Sequence, residues 1–302
     1  MRTLSRLALL AAAALAACAP PAPPAMPLSD APAAEEAATA PGAAEGPAAP
    51  ESPEQRAARL RAAAILVDGH NGIPSPVVGG AFDVTNLSRE AARADLERLK
   101  AAGVAGELFP IHVGALSGQQ AGLRGGAARR ALDLRIHRQI ERHGADLVLA
   151  RSARDVRRAK REGRVAALMG IEGGHAIENS LSVLRSFHRL GVRYMALTHL
   201  STNDWADSAG GALEPANARH RGLSPFGEEV VREMQRIGML VDVSHASEAT
   251  FRAALRVAKA PILASSSVRA EAHHRRRLGD DLLRALATNG APPGGMDLIM
   301  AR

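Results

Sequence analysis

The stretch Ala166–Glu172, AALMGIE, has the length and apolar character of one buried strand, and it ends in an acid. Three other apolar runs also lead into a histidine or an acid: ILVDGH at 65–70, YMALTH at 194–199 and MLVDVSH at 239–245. The strands of a parallel barrel bring their carboxyl ends to one mouth, where barrel enzymes carry their active sites. The repeated pattern therefore predicts a metal-dependent enzyme with its site at that mouth.

The remaining sequence alternates between strand-like and helix-like segments. Further apolar runs lie near 104–113 and 261–266. Stretches with helical spacing separate the runs, and they cover 88–102, 152–162, 181–190, 224–237 and 247–258. Such alternation is typical of parallel βα units.

Glycines support this division, because Gly103, Gly191 and Gly238 each stand just before a strand, where a helix-ending glycine is expected. The predicted fold class is α/β, a (β/α)8 TIM-like barrel with about six βα units visible instead of the eight of a closed barrel. After Leu286 the sequence changes to the Gly- and Pro-rich stretch 289–295, so the last quarter of the barrel is expected to be missing.

The N-terminus has the pattern of an export signal. Two arginines precede the apolar run Leu7–Ala17, which is too short to span a bilayer but suits a secretory signal. The run ends in LAAC and resembles the lipobox of bacterial lipoproteins, which implies cleavage before Cys18 and acylation of Cys18. An ordinary secretory peptide with an incidental cysteine is the alternative. Residues 1–18 are thus predicted to be a lipoprotein signal peptide, and because Ala19 is not an acid we expect an outer-membrane anchor facing the periplasm.

Composition separates the next two regions. Residues 19–55 are rich in Ala and Pro and have no aromatic residue, so they are predicted to be a disordered tether. Residues 56–302 suit one domain of barrel size. The single cysteine of the chain excludes a disulfide framework.

The formal net charge of +7 does not indicate nucleic-acid binding. Acids are interleaved with the arginines, as in 151–164, and aromatic residues make up 2% of the chain, so stacking platforms for bases are not available. A solvated basic surface is the better interpretation.

Four short motifs together resemble one known family. They occur in order, and they read DGHN at 68–71, GIEGGH at 170–175, LTH at 197–199 with NDWAD at 203–207, and VDVSH at 241–245. This set is similar to the membrane dipeptidase family, also called renal dipeptidase or peptidase family M19. The similarity runs from about Ala64 to Asn289.

The resemblance implies a binuclear zinc site at the barrel mouth and hydrolysis of dipeptides by a metal-bound hydroxide. Carried over by position, His70 matches the ligand on the first strand, Glu172 the carboxylate that bridges the two ions, and His245 the first histidine of the second ion. Two close cations would lower the pKa of a shared water and polarise the scissile carbonyl.

The resemblance also implies residues that contact the substrate. His199 matches a histidine near the developing oxyanion. Arg276 matches an arginine that grips the carboxylate of the dipeptide, with Arg275 as the alternative.

This chain departs from the family pattern at two ligand positions. Gly72 stands where the resemblance expects a ligating Asp, and the segment Ala264–Arg269 reads ASSSVR where a ligating histidine is expected. A barrel-mouth aspartate beyond the end of this chain is also expected in the family. Only His70, Glu172 and His245 remain from the ligand set.

Two hypotheses follow. The first is a zinc dipeptidase of the bacterial envelope that acts on dipeptides and is held at the membrane by a lipid on Cys18; a homodimer is left open. The second is a catalytically impaired or inactive dipeptidase-like lipoprotein, either a binding protein or a truncated gene product. Two further side chains have two interpretations each. His175 could support a metal ligand or pack in the core, and Trp205 could line the substrate pocket or pack in the core.

Overall fold

The computed structural model describes residues 51–71, 83–85, 94–112, 136–210, 217–266, 268–269, 277–290 and 297–300. The chain divides into two units, Met1–Pro50 and Glu51–Arg302, and all of these residues belong to the second. The predictions for Cys18 and Arg276 therefore lie outside the described residues. Within these ranges, every helix is too short or too polar to cross a lipid bilayer.

The described chain alternates strands and helices, as the sequence predicts. In chain order the elements are α1 (Pro53–Ala63), β1 (Ile65–Asp68), α2 (Leu96–Ala101), β2 (Val104–His112), α3 (Arg138–Arg142), β3 (Leu147–Leu149), α4 (Ala153–Arg161), β4 (Val165–Glu172), a 3-10 helix (Gly174–Ile177), α5 (Leu181–Arg189), β5 (Val192–Ala196), α6 (Pro225–Arg236), β6 (Leu240–Asp242), α7 (Glu248–Val257), β7 (Val268–Arg269), β8 (Arg277–Leu278), α8 (Asp280–Thr288) and β9 (Asp297–Met300).

The sheet is a curled half-barrel of mostly parallel strands. Its order is β6-β5-β4-β2-β1-β9, and β3 pairs with β4 outside this order. β1, β2, β4, β5 and β6 run parallel, whereas β9 pairs antiparallel with β1. In register, His112 at the end of β2 lies opposite Glu172 at the end of β4. The prediction of an incomplete α/β barrel is confirmed.

Short polar residues fix where the helices begin. The hydroxyl groups of Ser152, Ser180, Ser224 and Ser247 each accept a hydrogen bond from the backbone N–H three residues later. Each such cap stabilises a helix by about 1 kcal/mol. Gly103, Gly191 and Gly238 follow helices with φ of +77°, +106° and +77°, as the sequence predicts for helix-ending glycines.

Alternate residues of β4 face two different apolar clusters. Ala167, Met169 and Ile171 pack in the larger cluster, to which helices α2, α5, α6, α7 and α8 contribute. Ala166 and Leu168 belong to the second cluster, which includes residues of β1, β2 and α4. Because side chains alternate along a strand, Glu172 shares the face of this second cluster.

The strand prediction is wrong at the run 261–266 and at β3. The apolar run 261–266 does not form a strand, and only Leu263 makes an isolated bridge, to Asp242. The apolar pattern also does not predict β3, a three-residue strand that pairs with the start of β4. In both places pairing depends on the partner strand, which a local apolar pattern does not reveal.

Candidate metal centre

Four predicted site residues meet at the carboxyl ends of the parallel strands. Glu172 is the last residue of β4, and His70, His199 and His245 follow β1, β5 and β6 by two or three residues. The strands run in one direction, so these positions share one edge of the sheet. The structure therefore brings together His70, Glu172, His199 and His245, as the motifs predict.

A single carboxylate oxygen is the centre of this cluster. Oε1 of Glu172 lies 3.0 Å from Nε2 of His245, 3.6 Å from Nε2 of His70 and 3.7 Å from Nε2 of His199. The contact with His245 is a hydrogen bond between buried groups. The His199 and His245 rings are neighbours as well, with centroids 4.5 Å apart and planes tilted by 58°.

The histidines keep Glu172 ionised although it is buried. Burial alone would raise the pKa of this carboxyl group. The hydrogen bond from His245 and the charges of the three histidines outweigh burial and lower the pKa of Glu172 to about 2. The site therefore presents a carboxylate, the form that binds cations.

The backbone of His245 is held in an uncommon conformation. Its φ is +65°, in the left-handed region that non-glycine residues rarely occupy. The preceding turn is fixed by Asp242, whose Oδ1 accepts hydrogen bonds from the N–H groups of Ser244 (2.9 Å) and Ser265 (3.2 Å). Oδ2 of Asp242 accepts a further bond of 2.5 Å from the Ser265 hydroxyl group. These bonds explain how the turn that carries His245 keeps its shape.

Ser208 joins the two histidine-bearing loops. Its hydroxyl oxygen lies 2.5 Å from the carbonyl oxygen of His199 and 3.2 Å from that of His245. The N–H of Ala209 donates a 2.8 Å bond to the same His245 carbonyl. Ser208 is not predicted from the sequence, although it directly follows the NDWAD motif.

Trp205 packs in the core beside the site. Its side chain is fully buried and meets Phe226 edge to face at 6.4 Å. A Cβ on Gly174 would come within 2.3 Å of the indole, so glycine is required there. This arrangement favours packing over a pocket wall. His175 is also buried.

Buried acids lie on the neighbouring strands. Glu107 of β2 is fully buried opposite Asp68 of β1. Burial raises the pKa of Glu107 well above its ordinary value, and the charge of Asp68 raises it further. Asp68 in turn accepts bonds from the backbone N–H of His70 and the side-chain amide of Asn71, both 3.2 Å long. Glu107 was not singled out in the sequence.

A separate apolar cavity lies on the face of the second cluster. It has a volume of about 430 Å³, and its lining includes Val67, Leu108, Leu168 and Leu240. Neither Glu172 nor any of the three histidines around its Oε1 lines it. The cavity is therefore distinct from the candidate metal centre.

The donor set fits one metal ion. Imidazole nitrogens and a carboxylate are ordinary zinc ligands, and the ligand atoms of Glu172, His199 and His245 all lie within 4.8 Å of one another. The two further ligands that the family resemblance implies for a binuclear site are not present in the sequence. Gly72 offers no donor, and the segment 265–267 offers only serine hydroxyl groups.

Comparison with known sequences identifies relatives of the chain. The sequence model of the membrane dipeptidase family (peptidase family M19) matches residues 54–292. Dipeptidase verJ of Clonostachys rogersoniana is 39% identical over 252 residues, which cover 78% of this chain and 63% of that protein. Human dipeptidase 3 is 36% identical over 241 residues, which cover 78% of this chain and 48% of that protein. The chain thus spans less than two thirds of these relatives.

Solved structures share the fold. The probable dipeptidase PvdM of Pseudomonas aeruginosa superposes with a TM-score of 0.63 and 23% identity, covering 79% of this chain and 62% of PvdM. A metallopeptidase of Rhodobacter sphaeroides, solved with a phosphinate mimic of L-Ala-D-Ala, gives a TM-score of 0.58 and 23% identity, covering 75% of this chain and 72% of that one.

Proposed function

We propose, because the chain belongs to the membrane dipeptidase family (peptidase family M19), that it hydrolyses dipeptides with a zinc ion at the carboxyl ends of its strands. The observation that carries this proposal is the convergence of three imidazole nitrogens on Oε1 of Glu172. The named relatives are dipeptidases, which supports the reaction class.

Each residue has a stated task in the proposed reaction. A zinc ion held by this cluster would polarise the scissile carbonyl and lower the pKa of a bound water. Glu172 provides the negative charge that holds the ion. His199 is placed to contact either the substrate or the ion, and Arg276 is proposed to bind the carboxylate of the dipeptide.

A dipeptidase assay tests this proposal. The full chain is purified, treated with a chelator and supplied with zinc, and release of alanine from L-Ala-D-Ala and L-Ala-L-Ala is measured. We expect zinc-dependent turnover, and Glu172→Gln should lower it by more than about 100-fold. This loss exceeds the roughly 10–100-fold that is typical when a residue that hydrogen-bonds to a metal ligand is replaced. Glu178→Gln is the matched control, because Glu178 is an exposed carboxylate six positions later in the chain.

A second candidate is an impaired dipeptidase that binds ligands without turnover. Gly72 and the segment 264–269 favour it, because the family resemblance implies a ligating Asp at position 72 and one ligating histidine within that segment. Absence of hydrolysis of both dipeptides in the presence of zinc, from a folded chain, would support this candidate and reject the first.

The proposal includes a lipid anchor on Cys18 and a location at the outer membrane facing the periplasm. The LAAC sequence supports it. Expression with labelled palmitate should label the chain and place it in the membrane fraction. Cys18→Ser should remove both the label and the membrane association, and a labelled variant would contradict the anchor.

A further inference from the structure

We infer that this site holds a single divalent metal ion and that His199 is one of its direct ligands, together with Glu172 and His245. The inference deepens the proposed function and rests on it in taking the cluster to be a metal site. It differs from the family resemblance, which implies two ions, makes His70 a ligand and assigns His199 to the substrate.

The distances around Glu172 match one coordination sphere. Bonds of about 2.0–2.1 Å in a tetrahedron place neighbouring ligand atoms about 3.3 Å apart. Nε2 of His245, His70 and His199 lie 3.0 Å, 3.6 Å and 3.7 Å from Oε1 of Glu172, so this distance alone does not separate His70 from His199. The mutual distances do separate them, because the ligand atoms of Glu172, His199 and His245 all lie within 4.8 Å of one another and His70 is not part of that group.

Backbone contacts hold the two imidazoles together. Ser208 lies within hydrogen-bond distance of the carbonyl groups of both His199 and His245. The rings are already neighbours at a centroid distance of 4.5 Å. The Ser208 hydroxyl group therefore connects the two loops that carry His199 and His245, and it keeps the two imidazoles side by side.

The carboxylates at the ends of β1 and β6, Asp68 and Asp242, already accept hydrogen bonds within their own turns. Asp242 accepts hydrogen bonds from Ser244 and Ser265, and Asp68 accepts them from the turn at 70–71. Three protein ligands around one ion leave a fourth position open, which is the arrangement of catalytic zinc sites. One ion therefore remains compatible with dipeptide hydrolysis.

Metal titration of the full chain tests the inference. The chelator-treated protein is titrated with Co²⁺ and followed by its visible absorption, and bound Zn²⁺ is counted after equilibrium dialysis. We expect one ion per chain. His199→Ala should weaken binding by more than about 100-fold, whereas His70→Ala should weaken it by less than about 10-fold.

Matched variants make the result specific. His188→Ala removes a histidine of α5 outside the cluster and should bind like the wild type. His199→Gln keeps a polar side chain, and it should lose affinity as His199→Ala does while its circular dichroism and melting temperature match those of the wild type.

Several outcomes would overturn the inference. These are two ions per chain, no bound ion, or the reverse ranking in which His70→Ala loses the ion and His199→Ala keeps it. Failure of the proposed function is a separate result. A chain that binds one ion with the expected ranking but does not hydrolyse dipeptides would refute the proposed dipeptidase activity. The inference about the metal ligands would then still hold.

Discussion

Among the glycines that the structure describes, Gly170 would make the shortest contacts if a methyl group were added. It lies in β4 two residues before Glu172. A Cβ at this position would lie 2.1 Å, 2.1 Å and 2.5 Å from three ring carbons of Tyr194. Tyr194 is itself fully buried in the second cluster, so the ring has no free space to enter. Gly170→Ala therefore forces the strand or the ring to move.

The expected cost follows from overpacking of a core. Such changes cost about 1–3 kcal/mol, and contacts this short place Gly170→Ala at about 3 kcal/mol. For a domain of this size, the melting temperature should fall by about 2–4 °C per kcal/mol, or about 6–12 °C in total. Gly106→Ala is the matched control on β2, because its Cβ would meet only side-chain methyl groups at 3.3–3.4 Å. We expect it to cost less than about 1 kcal/mol.

A double-mutant cycle with Tyr194→Ala tests the cause. Tyr194→Ala alone should cost about 3–5 kcal/mol, as other large-to-small aromatic changes do. In the Tyr194→Ala background, the added methyl group of Gly170→Ala has room. The double variant should therefore lose about 2 kcal/mol less unfolding free energy than the sum of the two single losses. Urea unfolding followed by fluorescence measures all four free energies. Additive costs, or a Gly170→Ala variant as stable as Gly106→Ala, would refute the reasoning.

Three further predictions concern other buried groups. Asp207 accepts bonds from three backbone N–H groups in the loop 219–222, so Asp207→Asn, which keeps one acceptor oxygen, should cost at least about 1.5 kcal/mol in urea unfolding, and an unchanged midpoint would contradict this. Trp205 is the only tryptophan and is fully buried, so native fluorescence should resist acrylamide quenching and shift to the red on unfolding; strong quenching of the folded chain would show that the core is open. Hydrogen bonds from two arginines outweigh burial and lower the pKa of Glu233 to about 2, so its stabilisation is present above the ordinary pKa of 4.5 and is lost as the pH falls from 4.5 towards 2. The difference in unfolding free energy between the wild type and Glu233→Gln should shrink over that interval, and a constant difference would exclude this linkage.

The sequence predicts the site better than the order of the strands. Glu172, His199 and His245 could be placed together because each follows an apolar run, and the carboxyl ends of parallel strands meet at one edge. The helices from α4 to α7 begin and end within one residue of the stretches that helical spacing predicts, and in the structure a serine caps each first turn.

The pairing partners could not be derived in the same way. β3 has only three residues, and the run 261–266 has strand-like composition but contributes one bridge. β9 pairs antiparallel with β1, although the apolar pattern predicts no strand after Leu286. Pairing is a property of two segments at once, and local composition describes only one of them.

Buried polar residues were also missed for a physical reason. Ser208 and Asp207 look like ordinary loop residues, yet their side chains bind backbone groups of distant loops. Glu107 stands inside an apolar run, and only the packed sheet shows that it lies opposite Asp68. Contacts of this kind depend on tertiary structure, which spacing along the chain does not contain.

The most direct test of the metal centre is X-ray diffraction at the zinc absorption edge from crystals of the zinc-loaded protein. We predict one anomalous peak, within about 2.3 Å of a Glu172 carboxylate oxygen and of the Nε2 atoms of His199 and His245. Absence of a peak between these residues, or two peaks bridged by Glu172, would contradict the single-metal centre.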